Sequence, residues 1–222
     1  MIKGVVFDMD GLMFDTEKIV FRNWSIVMKE NNYDYNMDIY KKTVGLRHAE
    51  TEKLYRSIYG EDFDYQTLRT RVSQMYVEYT AQYGVPKKEG LMELLEFLKE
   101  NKILTAVATS TREESASRTL KIAGVTEYFS AFMFGDTVKN GKPDPEIFER
   151  ARLLIGTEKE NTLALEDSIN GVKSAYNAGL KTVMVPDMLE PDGETQKLLY
   201  GKCRNLKDVI DIIKNENGWE NS

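Results

Sequence analysis

The chain has 222 residues, of which 41% are hydrophobic and 30% are charged, and its formal net charge is −6. This length and composition predict one large folded domain, or one domain carrying an insertion, and they exclude an intrinsically disordered chain. The acidic balance argues against a nucleic-acid partner, and the one cysteine, Cys203, excludes an intrachain disulfide or a cysteine-based metal cluster.

Five short apolar runs, each bounded by polar turn residues, predict buried parallel strands at residues 2–7, 103–108, 131–134, 162–165 and 181–185. Apolar residues at helical spacing lie between the later runs, for example at Leu91, Leu94, Leu95 and Leu98. Strands that alternate with amphipathic helices predict an α/β fold, with a doubly wound, Rossmann-like parallel sheet of five strands as its core.

Residues 17–84 interrupt this alternation. They contain no strand-like run and carry apolar stripes at helical spacing instead, with Val20 and Trp24 in the first of them. We interpret them as an inserted all-helical domain, which leaves residues 1–16 and 85–222 as the α/β core. Nine of the twelve tyrosines fall inside the insertion, where their spacing predicts the core of a small helical bundle rather than a base-stacking surface.

Two acidic pairs stand where predicted strands end. Asp8 and Asp10 follow the first strand, and Glu166 and Asp167 follow the strand at residues 162–165. Ligands of open α/β sheets bind just beyond the carboxyl ends of strands, so neighbouring strands would bring these carboxylates into one crevice. Their mutual repulsion would favour a divalent cation with oxygen ligands, and Mg²⁺ is the obvious candidate. Each pair also has a structural interpretation, since Asp is common in turns and at helix N-caps.

Hydroxyl groups and a lysine follow two other predicted strands. Thr109 and Ser110 come after the strand at residues 103–108, at the start of a predicted helix, where anions are favoured. Lys142 lies in the loop after the third strand, between a glycine and a proline that limit its freedom. Taken alone, the hydroxyls could be a helix cap and the lysine a solvated loop residue.

Taken together and in this order, these motifs resemble the haloacid dehalogenase superfamily of phosphotransferases, in the subgroup whose helical cap follows the first motif. The resemblance covers essentially the whole chain. Residues 7–16, 141–145, 165–171 and 178–179 look like the branch that holds sugar-phosphate phosphatases and beta-phosphoglucomutase. The resemblance therefore implies that the insertion is a cap domain and that the α/β core is catalytic.

The resemblance also implies a role for each of the core motifs. Asp8 would be the nucleophile that forms an aspartyl phosphate, and Asp10 the general acid/base. Thr109 and Ser110 would hold the phosphoryl oxygens, while Lys142 would neutralise the nucleophile and the phosphoryl group. Relatives that cleave carbon–halogen or carbon–phosphorus bonds lack an acid at the position of Asp10, so phosphate-ester chemistry is expected.

By the same resemblance, Mg²⁺ would be bound by four acidic residues. A carboxylate oxygen of Asp8, the backbone carbonyl of Asp10 and the side chain of Asp167 would be ligands. Glu166 would contribute directly or through water. The expected activity is Mg²⁺-dependent hydrolysis of small phosphorylated metabolites, sugar phosphates first, with the cap closing over the substrate and expelling bulk water.

The insertion carries the residues that bear on the choice between a phosphatase and a mutase. Val20 stands where beta-phosphoglucomutases carry a histidine that holds back hydrolysis, and valine cannot hydrogen-bond through its side chain, so we expect a phosphatase. A mutase of this type is the alternative. Arg47 and His48 lie near the position where mutases contact the non-transferred phosphate, and we expect one of them to contact the distal part of the substrate. Both could instead be solvated at a helix start.

The sequence also favours a location and an oligomeric state. No apolar stretch approaches the roughly 18 residues that cross a bilayer, and only a short apolar run follows Met1-Ile2-Lys3. We therefore expect a cytoplasmic protein with no membrane partner. No feature marks a dimer face, so a monomer is the default expectation.

Overall fold

The computed structural model describes residues 1–44, 46 and 48–219. The backbone divides into two compact units, Met1–Asp15 with Pro86–Ser222, and Thr16–Val85. The second unit begins and ends one residue outside the range 17–84 proposed from the sequence.

Strands occur in the first unit only, among the residues described. They are β1 (Gly4–Phe7), β2 (Leu104–Ala108), β3 (Ala131–Met133), β4 (Thr162–Glu166), β5 (Lys181–Met184) and β6 (Gly201–Lys202). The helices of the second unit are α1 (Thr16–Glu30), α2 (Met37–Lys41), α3 (His48–Tyr59) and α4 (Tyr65–Tyr83). Those of the first unit are α5 (Leu91–Glu100), α6 (Glu113–Ala123), α7 (Glu146–Ile155), α8 (Ile169–Asn177), α9 (Gly193–Gln196) and α10 (Val209–Asn217). None of these helices is both long and apolar enough to cross a membrane.

The strands form one parallel sheet in the order β3-β2-β1-β4-β5-β6. The prediction of a doubly wound α/β fold with a parallel sheet is confirmed, but the predicted number of five strands is wrong. The sixth strand has two residues, Gly201 and Lys202, which pair with Val183 and Met184 at the edge of the sheet. A glycine and a lysine carry no apolar run, so the pattern that found the other strands had nothing to detect.

Small side chains on the sheet let helices approach it closely. Ala106, Ala108 and Ala164 belong to one buried cluster, together with Phe148 and Ala151 of α7. Helices α7 and α8 contact each other and the strands, while α5 contacts β2 and α10. Because helices cover the sheet, its central strands are buried along most of their length, and this burial explains their nearly continuous apolar runs.

The central position of β1 determines where the site forms. Phe7 of β1 is in register with Val107 of β2 and Leu165 of β4. In chain order, β2 and β3 lie on one side of β1, and β4, β5 and β6 lie on the other side, so the direction in which strands are added reverses after β3. This reversal leaves a crevice at the carboxyl ends of β1 and β4, which is where Asp8 and Glu166 lie.

Aromatic side chains form the interior of the second unit. Tyr55 is fully buried, and its ring lies edge-on to Trp24 with the centroids 5.2 Å apart. Trp24 stacks on buried Tyr65 with a centroid separation of 5.9 Å. Tyr40 is also buried, whereas Tyr83 is 67% exposed. The core of the bundle therefore includes Tyr40, Tyr55 and Tyr65 but not Tyr83.

Candidate active site

One ammonium group joins the two acidic motifs. Lys142 Nζ donates a short hydrogen bond to Asp8 Oδ1 and a second, of 2.6 Å, to Glu166 Oε1. The side chains of Asp8, Lys142 and Glu166 are 9%, 8% and 0% exposed. Lys142 Nζ also lies 4.9 Å from the centroid of the Phe148 ring. The interpretation of Lys142 as a solvated loop residue is therefore wrong, because two carboxylates and an aromatic face hold it in the interior.

Glu166 also fixes the beginning of α8. Its Oε2 accepts hydrogen bonds of 3.0 Å from the backbone N–H groups of Asp167 and Ser168 and from the Ser168 hydroxyl. Ser168 Oγ in turn accepts a hydrogen bond from the N–H of Gly171. A Cβ on Gly171 would lie 1.8 Å from Glu166 Oε1, so a side chain there would displace the carboxylate. The pair therefore does stand at a helix start, and this is compatible with the site role, which stays a prediction.

Three carboxylates meet at this edge of the sheet. One oxygen each of Asp8, Glu166 and Asp167 lies within 4.8 Å of the other two, and all three residues are buried. Gly11 packs against Asp167 with a φ of +83°, and a Cβ there would lie 2.2 Å from Asp167 Oδ2. In an octahedral Mg²⁺ site with bonds of about 2.1 Å, ligand oxygens are about 3–4 Å apart. This all-oxygen donor set fits a hard divalent cation.

Burial and repulsion disfavour ionisation of Asp8. Burial raises the pKa of Asp8 well above its ordinary value; Lys142 lowers this pKa, while Glu166 and Asp10 raise it further. Burial alone would lower the pKa of Lys142, but the carboxylates of Asp8 and Glu166 outweigh it and raise that pKa. The ammonium group therefore stays charged, and it is shared between the carboxylates of Asp8 and Glu166. A bound divalent cation would restore the balance.

Asp10 lies on a tight turn that follows β1. The N–H of Gly11 donates to the carbonyl of Phe14 at 3.0 Å, and the N–H of Met13 donates to that of Met9 at 2.9 Å. Asp10 Oδ2 accepts a hydrogen bond of 2.7 Å from Thr111 Oγ1. The sequence pattern did not single out Thr111 as a partner of Asp10. The available signal was its place in the hydroxyl-rich segment after β2, the strand that pairs with β1.

The two predicted phosphate-binding residues follow β2 at the same edge of the sheet. Thr109 is buried, and its Oγ1 accepts a hydrogen bond of 3.1 Å from the N–H of Thr111. Ser110 is exposed, and a Cβ on Gly135 would lie 2.0 Å from its carbonyl oxygen. The backbone of this segment therefore packs closely against Gly135. The phosphate-binding role of Thr109 and Ser110 remains a prediction.

The structure also reveals an ion-pair group that the sequence analysis missed. Lys88 Nζ makes a short contact with Asp187 Oδ1 and lies 3.7 Å from Asp15 Oδ1. Asp187 follows β5, so it is another acidic residue beyond a strand end, and that position was the available signal. Lys88 also lines a cavity of about 190 Å³ together with Gly11 and Leu12.

Of the two predicted cap residues, the structure describes His48, which lies in the second unit. His48 begins α3; its Nδ1 lies 3.4 Å from the hydroxyl of Tyr65, and its Nε2 lies 2.8 Å from an Arg69 nitrogen. Arg47 lies outside the described residues. His48 therefore has polar partners within its own unit, and the expected contact of either residue with substrate stays a prediction.

Residues 5–185 match the family model of haloacid dehalogenase-like hydrolases. The chain belongs to this family. A phosphorylated carbohydrates phosphatase from Thermotoga maritima is 30% identical over 215 residues, which are 97% of this chain and 95% of that protein. The beta-phosphoglucomutase of Bacillus subtilis is 26% identical over 193 residues, 83% of each chain.

A solved structure agrees with these sequence relatives. The crystal structure of a candidate beta-phosphoglucomutase from Thermotoga maritima superposes with a TM-score of 0.79 at 27% identity, over 96% of this chain and 99% of that one. The resemblance to the haloacid dehalogenase superfamily, in its beta-phosphoglucomutase-like branch, is confirmed. The phosphatase names among the relatives support the expectation of a phosphoric monoester hydrolase.

Proposed function

We propose that this haloacid dehalogenase-like hydrolase is a Mg²⁺-dependent phosphatase of small phosphorylated metabolites, with sugar phosphates as the first candidates. The observation that carries the proposal is the buried carboxylate of Asp8, bonded to the ammonium of Lys142 beside Glu166 and Asp167. With a divalent cation bound beside Lys142, this environment would suit an anionic nucleophile that approaches an anionic phosphate. The Thermotoga maritima relative, named as a phosphatase of phosphorylated carbohydrates, supports the substrate class.

In the first half of the proposed reaction, a carboxylate oxygen of Asp8 attacks phosphorus. A bond forms between that oxygen and phosphorus while the ester P–O bond of the substrate breaks. Asp10, in its protonated form, donates its proton to the leaving oxygen. Lys142 offsets negative charge on Asp8 and the phosphoryl group, and Thr109 and Ser110 hold the phosphoryl oxygens.

In the second half, water attacks the phosphorus of the aspartyl phosphate. Asp10 takes a proton from that water, the bond between phosphorus and Asp8 breaks, and inorganic phosphate leaves. The carboxylate of Asp8 and the proton on Asp10 are thereby regenerated. Asp10 must therefore exchange a proton in each half of the cycle.

The carboxylate cluster supports a divalent cation as cofactor. Asp8, Asp167 and the backbone carbonyl of Asp10 would hold Mg²⁺, with Glu166 binding directly or through water. When bound, the ion supplies positive charge that screens the nucleophile from the phosphoryl group. Because Glu166 already accepts hydrogen bonds on both oxygens, its further contribution is to orient Lys142 and the start of α8.

A phosphate-release screen over phosphorylated metabolites tests the proposal. With Mg²⁺ the protein should release phosphate from one or more sugar phosphates, and EDTA should abolish this release. Asp8→Asn should be inactive, whereas Asp62→Asn, a change of the same kind at an exposed residue, should retain activity. No release from any substrate by the Mg²⁺-loaded protein, or full activity in Asp8→Asn, would overturn the proposal.

The names of two relatives favour phosphomutase activity as a second candidate. If the protein interconverted glucose 1- and 6-phosphates and released no phosphate, the mutase would replace the phosphatase. Val20→His tests the reasoning behind our choice, since the added ring should raise the ratio of transfer to hydrolysis. An unchanged ratio would contradict it. A role of Arg47 and His48 in substrate selection would appear as altered kcat/KM ratios among substrates in their alanine variants.

A further inference from the structure

The side chain of Thr111 connects the loop after β2 to the loop after β1. Thr111 Oγ1 and Asp10 Oδ2 lie 2.7 Å apart, although the two residues are separated by 101 positions in the chain. Both residues are partly buried. The hydroxyl group thus contacts the carboxyl group to which we assign proton transfer.

The backbone of Thr111 is held by its neighbours. Its N–H donates to Thr109 Oγ1 at 3.1 Å, and its carbonyl accepts a hydrogen bond of 3.0 Å from the N–H of Gly135. The preceding carbonyl, of Ser110, packs so closely on Gly135 that a Cβ there would lie 2.0 Å away. The hydroxyl is therefore presented to Asp10 from a well-supported segment rather than from a free loop.

A hydroxyl group is a suitable partner for a carboxyl group that gains and loses a proton. It has one O–H donor and two acceptor lone pairs, and its hydrogen rotates to suit the neighbour. It donates to ionised Asp10, and it can accept from Asp10 when that carboxyl is protonated. A backbone N–H could only donate, so it would favour the ionised form alone.

We propose that Thr111 is a positioning residue for Asp10, whose carboxyl group its hydroxyl holds in one orientation. This inference rests on the proposed function, because it assumes that Asp10 is the general acid/base. Loss of the hydroxyl should therefore impair proton transfer to the leaving group more than binding of the phosphoryl group.

The test uses two substrates that differ in their need for a proton. Phenolate has a conjugate acid with a pKa of about 10 and leaves poorly without protonation, whereas 2,4-dinitrophenolate leaves readily as the anion. The value of kcat/KM reports the steps up to transfer to Asp8. It is measured for phenyl phosphate and 2,4-dinitrophenyl phosphate in the Mg²⁺-loaded wild type, Thr111→Val, Thr111→Ser and Asp10→Asn.

We expect Thr111→Val to lower kcat/KM for phenyl phosphate by about tenfold or more, and for 2,4-dinitrophenyl phosphate by no more than about threefold. Thr111→Ser, which keeps the hydroxyl, should recover most of the loss. Thr105→Val removes a hydroxyl from β2 that donates to the Tyr128 carbonyl, so it is a matched control and should leave the ratio between substrates unchanged. If Thr111→Val does not fold, Thr111→Ala replaces it.

The outcomes separate this inference from the proposed function. Suppose that Asp10→Asn lowers kcat/KM more for phenyl phosphate than for 2,4-dinitrophenyl phosphate, whereas Thr111→Val lowers kcat/KM equally for both substrates or for neither. The positioning role is then wrong and the proposed function stands. If Asp10→Asn itself shows no discrimination, the role proposed for Asp10 is wrong, and the inference falls with it.

Discussion

Replacing Asp8 with asparagine should stabilise the metal-free protein at neutral pH while it abolishes turnover. In the wild type, the carboxylates of Asp8 and Glu166 share the ammonium group of Lys142, and a carboxylate oxygen of Asp167 lies within 4.8 Å of both. Asparagine removes one negative charge and can still accept a hydrogen bond from Lys142. The ammonium group keeps its ion pair with Glu166, so the substitution leaves no lone buried cation.

The size of the effect depends on the burial of Asp8 and on the charges around it. At an effective dielectric constant of about 20, two unit charges 4.8 Å apart repel by about 3–4 kcal/mol. Attraction between Asp8 and Lys142 offsets this repulsion, so the main destabilising contribution is the cost of burying the Asp8 charge. We therefore expect the free energy of unfolding in EDTA to rise by about 1–3 kcal/mol, or about 2–4 °C in Tm per kcal/mol for a protein of this size.

The pH dependence has a defined sign. Because burial raises the pKa of Asp8 in the folded protein, the folded state binds this proton more tightly than the unfolded state does. This contribution to the free energy of unfolding is present at low pH. It is lost as the pH rises from the pKa of Asp8 in the unfolded state through its pKa in the folded state. The stability advantage of Asp8→Asn should therefore widen across that range and become constant above it.

Thermal and urea unfolding in EDTA, from about pH 5 to about pH 8, measure this difference. Asp62→Asn is the control and should follow the wild type at each pH. Adding Mg²⁺ at 100 times its Kd should stabilise the wild type by about 2.7 kcal/mol and Asp8→Asn much less. An Asp8→Asn protein that is no more stable than the wild type in EDTA at any pH would refute the reasoning.

Other consequences of the site and of the helical unit can be tested in the same way. Gly11→Ala should raise the Mg²⁺ concentration for half-maximal activity by about tenfold or more, because its Cβ would collide with a site carboxylate. Gly60→Ala, at a φ of +104° with open space around it, should leave that concentration unchanged in the same titration. Lys142→Met should lower kcat by about 100- to 1,000-fold. Lys142→Met should also lower the free energy of unfolding by about 3 kcal/mol in EDTA and by less in Mg²⁺. Unfolding curves that shift from the wild type by the same amount in EDTA and in Mg²⁺ would contradict the charge argument. Tyr40→Phe removes a buried hydroxyl that donates to a glutamate and should cost about 1–3 kcal/mol in urea unfolding, whereas exposed Tyr83→Phe should cost nothing measurable.

The sequence predicted those parts of the molecule in which a local pattern has a direct physical cause. Central strands that helices cover must be apolar along their length, so their apolar runs could be recognised in the sequence. The acidic residues Asp8, which follows β1, and Glu166, which ends β4, stood out because they directly follow such apolar runs. The edge strand β6 has two residues and no apolar run, so it left no such signal.

Pairings between distant segments were harder to predict. The bond between Thr111 and Asp10 and the ion pair between Lys88 and Asp187 join residues about 100 positions apart. Which side chains meet depends on the order of the strands and on the turn after each of them, and hydrophobic periodicity specifies neither. The strand ends could be recognised from the sequence, but the particular partners there required coordinates.

The central claim is that Asp8 carries the phosphoryl group, and trapping that species tests it most directly. In Asp10→Asn, transfer from 2,4-dinitrophenyl phosphate should proceed because the leaving group needs no proton, while hydrolysis, which needs the base, should be slow. The mixture is quenched with acid and digested, and the peptides are analysed by mass spectrometry. We expect one phosphoryl group on the peptide that contains Asp8, removable by hydroxylamine. A stoichiometric release of dinitrophenol with no phosphorylated peptide, or with the group on another residue, would contradict the claim.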